Sequence, residues 1–184
     1  MNEKILQSWR CRVENKNKEW CETPNVIREA RMMGKWLLGE CETRWLALLF
    51  GNVGAGKTTL MEATIAATSP PKIWHQEFAT EFALKVTMNL EEILKVSNFP
   101  LLALDDVGIE PTNVQNYGNV FMPVANVLEA RYRNRKKTII TTNLSFEEIG
   151  EKYGNRVKSR LQEMAYPICF SNDDFRRIGP YNSK

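Results

Sequence analysis

The sequence predicts an α/β fold in which helices cover both faces of a parallel sheet. Short apolar or β-branched runs alternate along the chain with longer segments of helical periodicity, and this alternation is typical of parallel strands joined by crossover helices. A glycine-rich turn lies between the first such run and the helix after it. The chain has 184 residues, of which 43% are apolar, and this suffices for one domain with a hydrophobic core.

Five runs are predicted to form the strands of the sheet. Residues 46–50 are all apolar, as expected for a strand buried on both faces, and residues 138–142 are mostly β-branched. In chain order, the predicted strands are residues 46–50, 73–74, 101–105, 138–142 and 168–170. Because ligands bind at the carboxyl ends of strands in such sheets, polar residues that follow these runs are candidates for a functional site.

Capping residues and prolines delimit the predicted helices. Thr23-Pro24 begins a helix over residues 25–38 that Gly39 ends, and Ser145 begins another helix through a capping box. Further helices are predicted over residues 60–67, over 78–94 in one or two pieces, over 155–164, and in a segment that ends near residue 135, which Pro123 begins or kinks. Residues 108–118 are predicted to form a loop.

The composition bounds the class of protein. A net charge of +3 is too small to indicate nucleic-acid binding by itself, and no segment has the apolar core of a secretory signal or of a membrane span. The four scattered cysteines are typical of the reduced thiols of a cytoplasmic protein. We expect the single histidine, His75, to be structural at a strand end. Residues 1–22 are predicted to be a short polar extension, either helical or irregular, without a core of its own, before the domain at 23–184.

The glycine-rich turn has the spacing of a phosphate-binding loop, Gly-x-x-x-x-Gly-Lys-Thr, between a strand and a helix. Backbone N–H groups in such a loop converge on an anion, and the helix dipole adds to the attraction. Lys57 is expected to reach the terminal phosphates of ATP, and the Thr58 hydroxyl to hold Mg²⁺. The alternative is a glycine-rich turn before a core helix. The residues predicted to bind the nucleotide are Gly51, Asn52, Val53, Gly54, Ala55, Gly56, Lys57, Thr58 and Thr59.

Two carboxylates, Asp105 and Asp106, follow the apolar run 101–104. Successive residues of a strand point in different directions, so one carboxylate can hold a metal while the other orients the attacking water. We assign Asp105 to Mg²⁺ and Asp106 to the water. The alternative is a solvated acidic turn, in which Asp is common.

Four blocks of sequence carry a resemblance to a known family. They are residues 51–59, Leu-Leu-Ala-Leu-Asp-Asp-Val-Gly at 101–108, Ile-Ile-Thr-Thr-Asn-Leu at 139–144, and Tyr-Gly-Asn-Arg-Val-Lys-Ser-Arg-Leu at 153–161. In this order they resemble the AAA+ ATPases of the DnaC-like helicase-loader type and the related IstB-like transposition helpers, over roughly residues 20–178. The resemblance implies a P-loop NTPase of the AAA+ (ASCE) type, with a parallel five-stranded sheet sandwiched by helices over residues 23–184. Because the chain ends soon after Arg177, we expect no C-terminal helical lid domain.

The resemblance also implies roles for further polar residues. Asn143 matches the sensor 1 position, although an Asn is also common at a turn before a capped helix. Arg160 matches the arginine finger that contacts ATP on a neighbouring subunit, and Arg156 shares its helical face; the alternative is a solvated basic face. Arg176, or its neighbour Arg177, matches the C-terminal arginine that senses nucleotide within the subunit. A finger that acts on a neighbour implies ATP-dependent homo-oligomers.

A basic cluster at residues 131–137 has two interpretations. Its cations suit contacts with DNA phosphates, or they complement the dipole at the end of a helix. The resemblance favours single-stranded DNA, on which the family acts. The members of the cluster are Arg131, Arg133, Arg135, Lys136 and Lys137.

The expected function is that of an ATPase acting in DNA replication as a helicase loader. ATP and Mg²⁺ are the expected cofactors, and single-stranded DNA and a replicative helicase or a transposase are the expected partners. Asp106 stands where many AAA+ motors have Glu, and the shorter side chain implies slow, switch-like hydrolysis. The alternatives are an IstB-like transposition helper, a P-loop nucleotide kinase, and a module that holds ATP without turnover. The adenine contact is placed near residues 23–27 by resemblance alone, and about twenty preceding residues are too few for a separate helicase-binding domain.

Overall fold

The computed structural model describes residues 1–16, 18–68 and 74–171. The helices are α1 (Asn2–Glu14), α2 (Pro24–Leu38), α3 (Lys57–Ala67), α4 (Ala79–Met88), α5 (Glu91–Asn98), α6 (Pro123–Arg133), α7 (Phe146–Tyr153) and α8 (Asn155–Met164). The strands are β1 (Leu46–Gly51), β2 (Trp74–Phe78), β3 (Leu101–Val107), β4 (Val114–Asn116), β5 (Asn119–Phe121), β6 (Thr138–Thr142) and β7 (Ala165–Phe170). Among the described residues, no helix has the length and apolar content to cross a bilayer.

The main sheet has five strands in the order β2-β3-β6-β1-β7, and every neighbouring pair is parallel. The five-stranded parallel sheet predicted from the sequence is therefore confirmed. The strands β3, β6 and β1 are adjacent, so their carboxyl ends meet at one edge of the sheet. The phosphate-loop sequence, the acidic pair and Asn143 all lie at this edge.

Strand alternation divides the buried apolar residues between two cores, one on each face of the sheet. Leu46 and Leu48 of β1 belong to the core that α4, α5, α6, α7 and α8 cover. Ala47 and Leu49 belong to the core that α1, α2 and α3 cover. Because residues 46–49 of β1 are buried on both faces of the sheet, they are apolar without interruption, as in other parallel sheets with helices on both sides.

The N-terminal segment, whose composition predicts a polar extension, forms a helix with one apolar side. Ile5 and Trp9 of α1 are fully buried and belong to the same core as α2 and α3. Leu6 and Val13 of the same helix pack against this core while partly buried, and charged residues lie between these apolar positions.

Several local predictions are confirmed by capping geometry. The Thr23 hydroxyl accepts a hydrogen bond from the Val26 N–H at the start of α2, and Gly39 ends that helix in the left-handed conformation. Ser145 and Glu148 form the predicted capping box of α7. Pro123 is the first residue of α6, so it begins the helix and does not kink it.

Two local predictions are wrong. The predicted loop at 108–118 contains β4 and leads into β5, and Tyr117 and Gly118 form a two-residue turn with positive φ at both positions, a geometry that short hairpins favour. The second strand is β2, which extends to Phe78, and Ile73 lies outside the described residues. His75 is therefore inside a strand, where its ring stacks on Phe99 at 3.9 Å between centroids.

Gly51 is required by packing between strands. Its φ is +132°, and a Cβ at this position would lie 2.2 Å from the carbonyl oxygen of Phe170 on β7. That oxygen belongs to backbone held in the sheet, so it cannot move aside easily. The first glycine of the loop therefore permits the close approach of β1 and β7 where the chain leaves the sheet.

We predict that Gly51→Ala lowers the free energy of unfolding by about 3 kcal/mol, through backbone strain and the clash with Phe170. Gly39→Ala is the matched control, because Gly39 also has positive φ but a Cβ there would meet no atom of the described residues within 4 Å. The control isolates the conformational cost of about 1 kcal/mol. Urea unfolding followed by circular dichroism measures both; equal losses would contradict the proposed clash.

Candidate functional site

A cavity of about 480 Å³ lies at the carboxyl ends of β1, β3 and β6. Its volume is in the range of small-ligand sites. Six of the nine predicted loop residues line it: Val53, Gly54, Gly56, Lys57, Thr58 and Thr59. Asp105, Asp106 and Asn143 line it as well, so the structure brings the acidic pair and the predicted sensor to the loop. Gly51 and Asn52 line a neighbouring cavity that Asn143 also lines, and Ala55 is buried.

Lys57 is held at the base of the loop by three hydrogen bonds. Its Nζ donates to the carbonyl oxygens of Gly51 and Asn52 and to Oδ1 of Asn143, each at 2.7 Å. The side chain is 6% exposed. A buried ammonium group that faces a concave loop of backbone N–H groups at a helix N-terminus provides the positive potential that polyphosphates require. Gly54 and Gly56 have positive φ, which allows the loop to close around that space.

Thr58 and Asp105, the two residues predicted to hold Mg²⁺, are in contact. The Thr58 hydroxyl donates to Oδ1 of Asp105 at 2.9 Å, and the Thr141 hydroxyl donates to the same oxygen. Asp105 is 1% exposed, and its second oxygen, Oδ2, has no hydrogen-bond partner among the described residues. Burial raises the pKa of the Asp105 carboxyl, while the hydrogen bonds from Thr141 and Thr58 lower it.

These contacts fit a hard divalent cation. Mg²⁺ prefers oxygen ligands and usually combines one or two protein oxygens with waters and substrate phosphates. A buried carboxylate oxygen without a partner, beside a hydroxyl at the phosphate loop, supplies such ligands. The roles of Thr58 and Asp105 as metal ligands stay predictions.

Asp106 reaches the same cavity because the strand is irregular at this point. The register between β3 and β6 shifts between Leu104 and Val107, and Asp106 has a φ of +54°. Its N–H donates to the Thr141 hydroxyl at 2.8 Å. Regular alternation would place Asp105 and Asp106 on opposite faces, so the expectation of simple alternation is wrong. Bulges and left-handed residues are frequent beside functional sites, where they redirect a side chain.

The two arginines on α8 lie away from the cavity lining. Arg160 forms an ion pair with Glu129 of α6 at 2.9 Å, and its guanidinium lies 5.0 Å from the centre of the Tyr132 ring. Arg156 contacts the same carboxylate at 3.2 Å but is far more exposed. The structure thus places both arginines on one face, as their spacing predicts. Arg176 and Arg177 lie outside the described residues.

The basic cluster before β6 is largely occupied by contacts within the domain. The guanidinium of Arg131 is fully buried and donates to the Thr138 hydroxyl and to the carbonyl oxygens of Ser97, Phe99 and Lys137. Burial lowers the pKa of Arg131 to about 10. This residue joins α5, α6 and β6, and it is not available to a DNA phosphate.

The other cations of the cluster differ in availability. Lys137 donates to the carbonyl oxygen of Leu37, and Lys136 donates to the carbonyl oxygen of Asn98. Arg133 and Arg135 are exposed, with Arg135 over the Trp45 ring. The interpretation of all five cations as one phosphate-binding surface is therefore wrong, because the amino ends of the strands need these donors to satisfy buried carbonyl oxygens.

Some residues at the site have no sequence feature that predicts a role there. Thr141 bonds both Asp105 and Asp106, yet in the sequence it is one of several β-branched residues in a strand. Trp9, Val13 and Trp20 line the cavity from the segment that precedes the predicted domain. An indole three residues before a helix cap, as at Trp20, gives no indication of a ligand by itself.

The order and direction of the strands, with the site at their carboxyl ends, give this chain the P-loop fold of the AAA+ type. No protein-family model matches the sequence, and no curated protein sequence matches it. Several solved structures have a similar fold. The DnaC helicase loader has a TM-score of 0.66 at 23% identity, covering 83% of this chain and 93% of its own. DnaI has a TM-score of 0.66 at 19% identity, covering 93% and 95%.

A third structure is the replication initiator DnaA bound to AMPPCP and single-stranded DNA, with a TM-score of 0.61 at 18% identity. The match covers 85% of this chain and 49% of that chain, so this chain spans about half of DnaA. The likeness to DnaC and DnaI agrees with the family resemblance that the four sequence blocks carry. At these identities the similarity establishes the fold.

We predict that Arg131→Ala lowers the free energy of unfolding by about 3 kcal/mol or more, because it leaves several buried carbonyl oxygens without donors. Arg133→Ala, an exposed neighbour, should change it by less than about 0.5 kcal/mol. Urea unfolding of both variants checks the difference. Equal stability of the two would mean that Arg131 is not the structural donor described.

Proposed function

We propose that this chain binds and slowly hydrolyses ATP and acts in DNA replication as a helicase loader of the DnaC-like type. The observation that carries the proposal is the convergence of Lys57, Asp105 and Asn143, from three adjacent strand ends, in one cavity. Helicase loading is supported by the sequence resemblance together with the likeness of the fold to DnaC and DnaI.

Each of these contacts has a proposed role in binding or hydrolysing ATP. Lys57 and the loop N–H groups bind the β- and γ-phosphates, and Thr58 and Asp105 hold Mg²⁺. When bound, Mg²⁺ neutralises charge on the phosphates and orients them. Asp106 accepts a hydrogen bond from the attacking water, and Asn143 positions that water or the γ-phosphate. The Thr141 hydroxyl holds the Asp105 carboxylate and the backbone N–H of Asp106.

Measurements of ATP binding and hydrolysis should distinguish the proposed roles of Lys57 and Asp106. Asp106→Asn should retain ATP affinity within about threefold and lose about 10²-fold or more of phosphate release, because only water activation is removed. Lys57→Ala should lose both ATP binding and hydrolysis. Phosphate release and equilibrium ATP binding are the measurements.

Glu42→Gln, at an exposed position, is the matched control for removing a carboxylate. Wild-type protein that binds ATP but releases no phosphate, with function left intact in Asp106→Asn, would favour a module that holds ATP without turnover. Transfer of phosphate to a nucleoside in place of water would favour the kinase.

Arg160 is proposed to act on ATP bound to a neighbouring subunit. The arginine is 18% exposed, and Glu129 and the Tyr132 ring hold it at the surface of α8. A guanidinium in this position can leave the Glu129 carboxylate and bind the phosphate oxygens of ATP on a second subunit. Contacts of this head-to-tail kind build rings or open spirals.

We predict that wild-type protein associates at micromolar concentration when a non-hydrolysable ATP analogue is present. Arg160→Ala should remain monomeric while binding the analogue, because the contact between subunits is lost and the cavity is intact. Arg133→Ala is the control, and it should associate like wild type. Sedimentation velocity measures the state; a wild-type monomer with and without analogue would contradict the role of Arg160.

Single-stranded DNA and a replicative helicase are the proposed partners. DnaA, which shares the fold, is bound to single-stranded DNA in its structure. Arg131 and Lys137 donate hydrogen bonds within the domain. Arg133 and Arg135 are exposed, so these two cations are the candidates for phosphate contacts.

Affinity capture from native cell extract identifies the partner. With ATP analogue and single-stranded DNA, wild-type protein should retain a replicative helicase, and Lys57→Ala should retain about tenfold less, because assembly requires bound nucleotide. Recovery of a transposase would support the IstB-like alternative. Recovery of neither, from protein that binds the analogue, would contradict helicase loading.

A further inference from the structure

A buried carboxylate, Glu110, lies four residues after Asp106, and none of the contacts proposed for ATP uses it. It is 2% exposed and is not part of the cavity lining. Its Oε2 accepts a hydrogen bond from the N–H of Gly108 at 2.8 Å, and its Oε1 accepts one from the Tyr153 hydroxyl. The side chain therefore joins the residue that follows β3 to the last residue of α7.

The burial of Glu110 is explained poorly by packing. Both side-chain partners are neutral donors, a backbone N–H and a phenol, and a buried carboxylate with neutral partners costs free energy that an apolar side chain would not. Burial, together with the Glu110 carboxylate, raises the pKa of Tyr153, so its hydroxyl stays protonated and donates. Lys152 adds a hydrogen bond to the backbone carbonyl oxygen of Glu110 at 2.7 Å.

The turn that Glu110 holds is the one that directs Asp106 into the cavity. Asp106 has a φ of +54° and Gly108 a φ of +116°, so two of three successive residues are left-handed. A Cβ on Gly108 would lie 2.7 Å from the Leu144 side chain. The Thr141 hydroxyl accepts the N–H at the start of this turn, and Glu110 accepts the N–H at its end. Backbone of this kind persists only where its surroundings fix it.

The other end of the Glu110 contact is the joint between α7 and α8. Tyr153 ends α7, and Gly154, with a φ of +90°, separates the two helices. The helices pack closely, because a Cβ on Gly150 of α7 would lie 2.9 Å from the Lys158 side chain of α8. Helix α8 carries Arg160. A shift of α8 therefore acts on α7 and on the hydroxyl that Glu110 accepts.

We propose that Glu110 is a positioning residue for ATP hydrolysis, which links the turn that carries Asp106 to α7 and α8 through Tyr153. This inference rests on the proposed function, since it assigns the control of Asp106 in the same reaction. Glu110 fixes Gly108, so the Asp106 carboxylate stays where it accepts a hydrogen bond from the attacking water. Because the link continues to α8, contact of Arg160 with a neighbouring subunit changes the position of that carboxylate.

Steady-state hydrolysis and equilibrium ATP binding test the positioning. Tyr153→Phe removes one hydroxyl and should lower kcat about tenfold, with KM and Kd for ATP within about twofold, because the phosphate loop is untouched. Glu110→Ala should lower kcat about 10²-fold with the same ATP affinity. Glu110→Gln should recover most of kcat, since its amide can accept from Gly108 and donate to the Tyr153 oxygen. Tyr166→Phe, at a half-buried tyrosine of β7, is the matched control and should hydrolyse ATP like wild type.

The outcomes separate this inference from the proposed function. Wild-type kcat in both Tyr153→Phe and Glu110→Ala would overturn the positioning role. Equal losses of kcat and ATP affinity would also overturn it, because Glu110 would then support only the fold. Folded wild-type protein that binds ATP without hydrolysing it would reject the proposed hydrolysis, and the positioning role would fall with it.

Hydrogen exchange tests the link to α7 and α8 without hydrolysis. With Mg²⁺ and a non-hydrolysable ATP analogue, the amides of residues 150–158 should exchange roughly threefold or more slowly in wild type, because bound nucleotide orders the turn that Glu110 joins to α7. Tyr153→Phe should bind the analogue equally well and lose this protection, while α3 stays protected in both proteins. Equal protection of residues 150–158 in the two proteins, or none in wild type with analogue bound, would contradict the link.

Discussion

The site depends on the parallel alignment of β3, β6 and β1, which brings three strand ends to one edge of the sheet. Lys57 joins two of these ends through its hydrogen bonds to Gly51 and Asn143. Thr141 of β6 joins the third, because its hydroxyl donates to the Asp105 carboxylate and accepts from the backbone N–H of Asp106 at the end of β3. The close approach of Gly51 to Phe170 sets the point where β1 leaves the sheet and the loop begins. The anion site is therefore a property of the sheet as a whole.

Much of this arrangement could be predicted from the sequence. The phosphate-loop spacing, its setting between an apolar strand and a helix, and the capping residues of α2 and α7 are local signals with a direct physical cause. The order of the four blocks placed Asn143 and the acidic pair at strand ends, and the structure puts both beside Lys57. Periodicity also predicted the two-sided burial of the sheet.

Other features could not be predicted, because they depend on contacts between distant segments. The irregularity at Asp106 arises where β3 meets β6, and the composition of β3 does not reveal it. Arg131 belongs to a run of cations whose sequence is typical of an exposed surface. In the structure it is buried, and its guanidinium donates to the carbonyl oxygens of Ser97, Phe99 and Lys137. Ile5 and Trp9, with Leu6 and Val13 partly buried beside them, attach α1 to the core. Such a small apolar face is easily missed in a polar segment.

The most direct test of the central claim is calorimetric titration of folded protein with ATP, with Mg²⁺ and again with EDTA. The account predicts that wild type binds ATP at least tenfold more tightly with Mg²⁺, and that Asp105→Asn loses this difference while still binding ATP, because Lys57 and the loop remain. Folded wild-type protein that takes up no ATP, or that binds it equally well without Mg²⁺, would contradict the account.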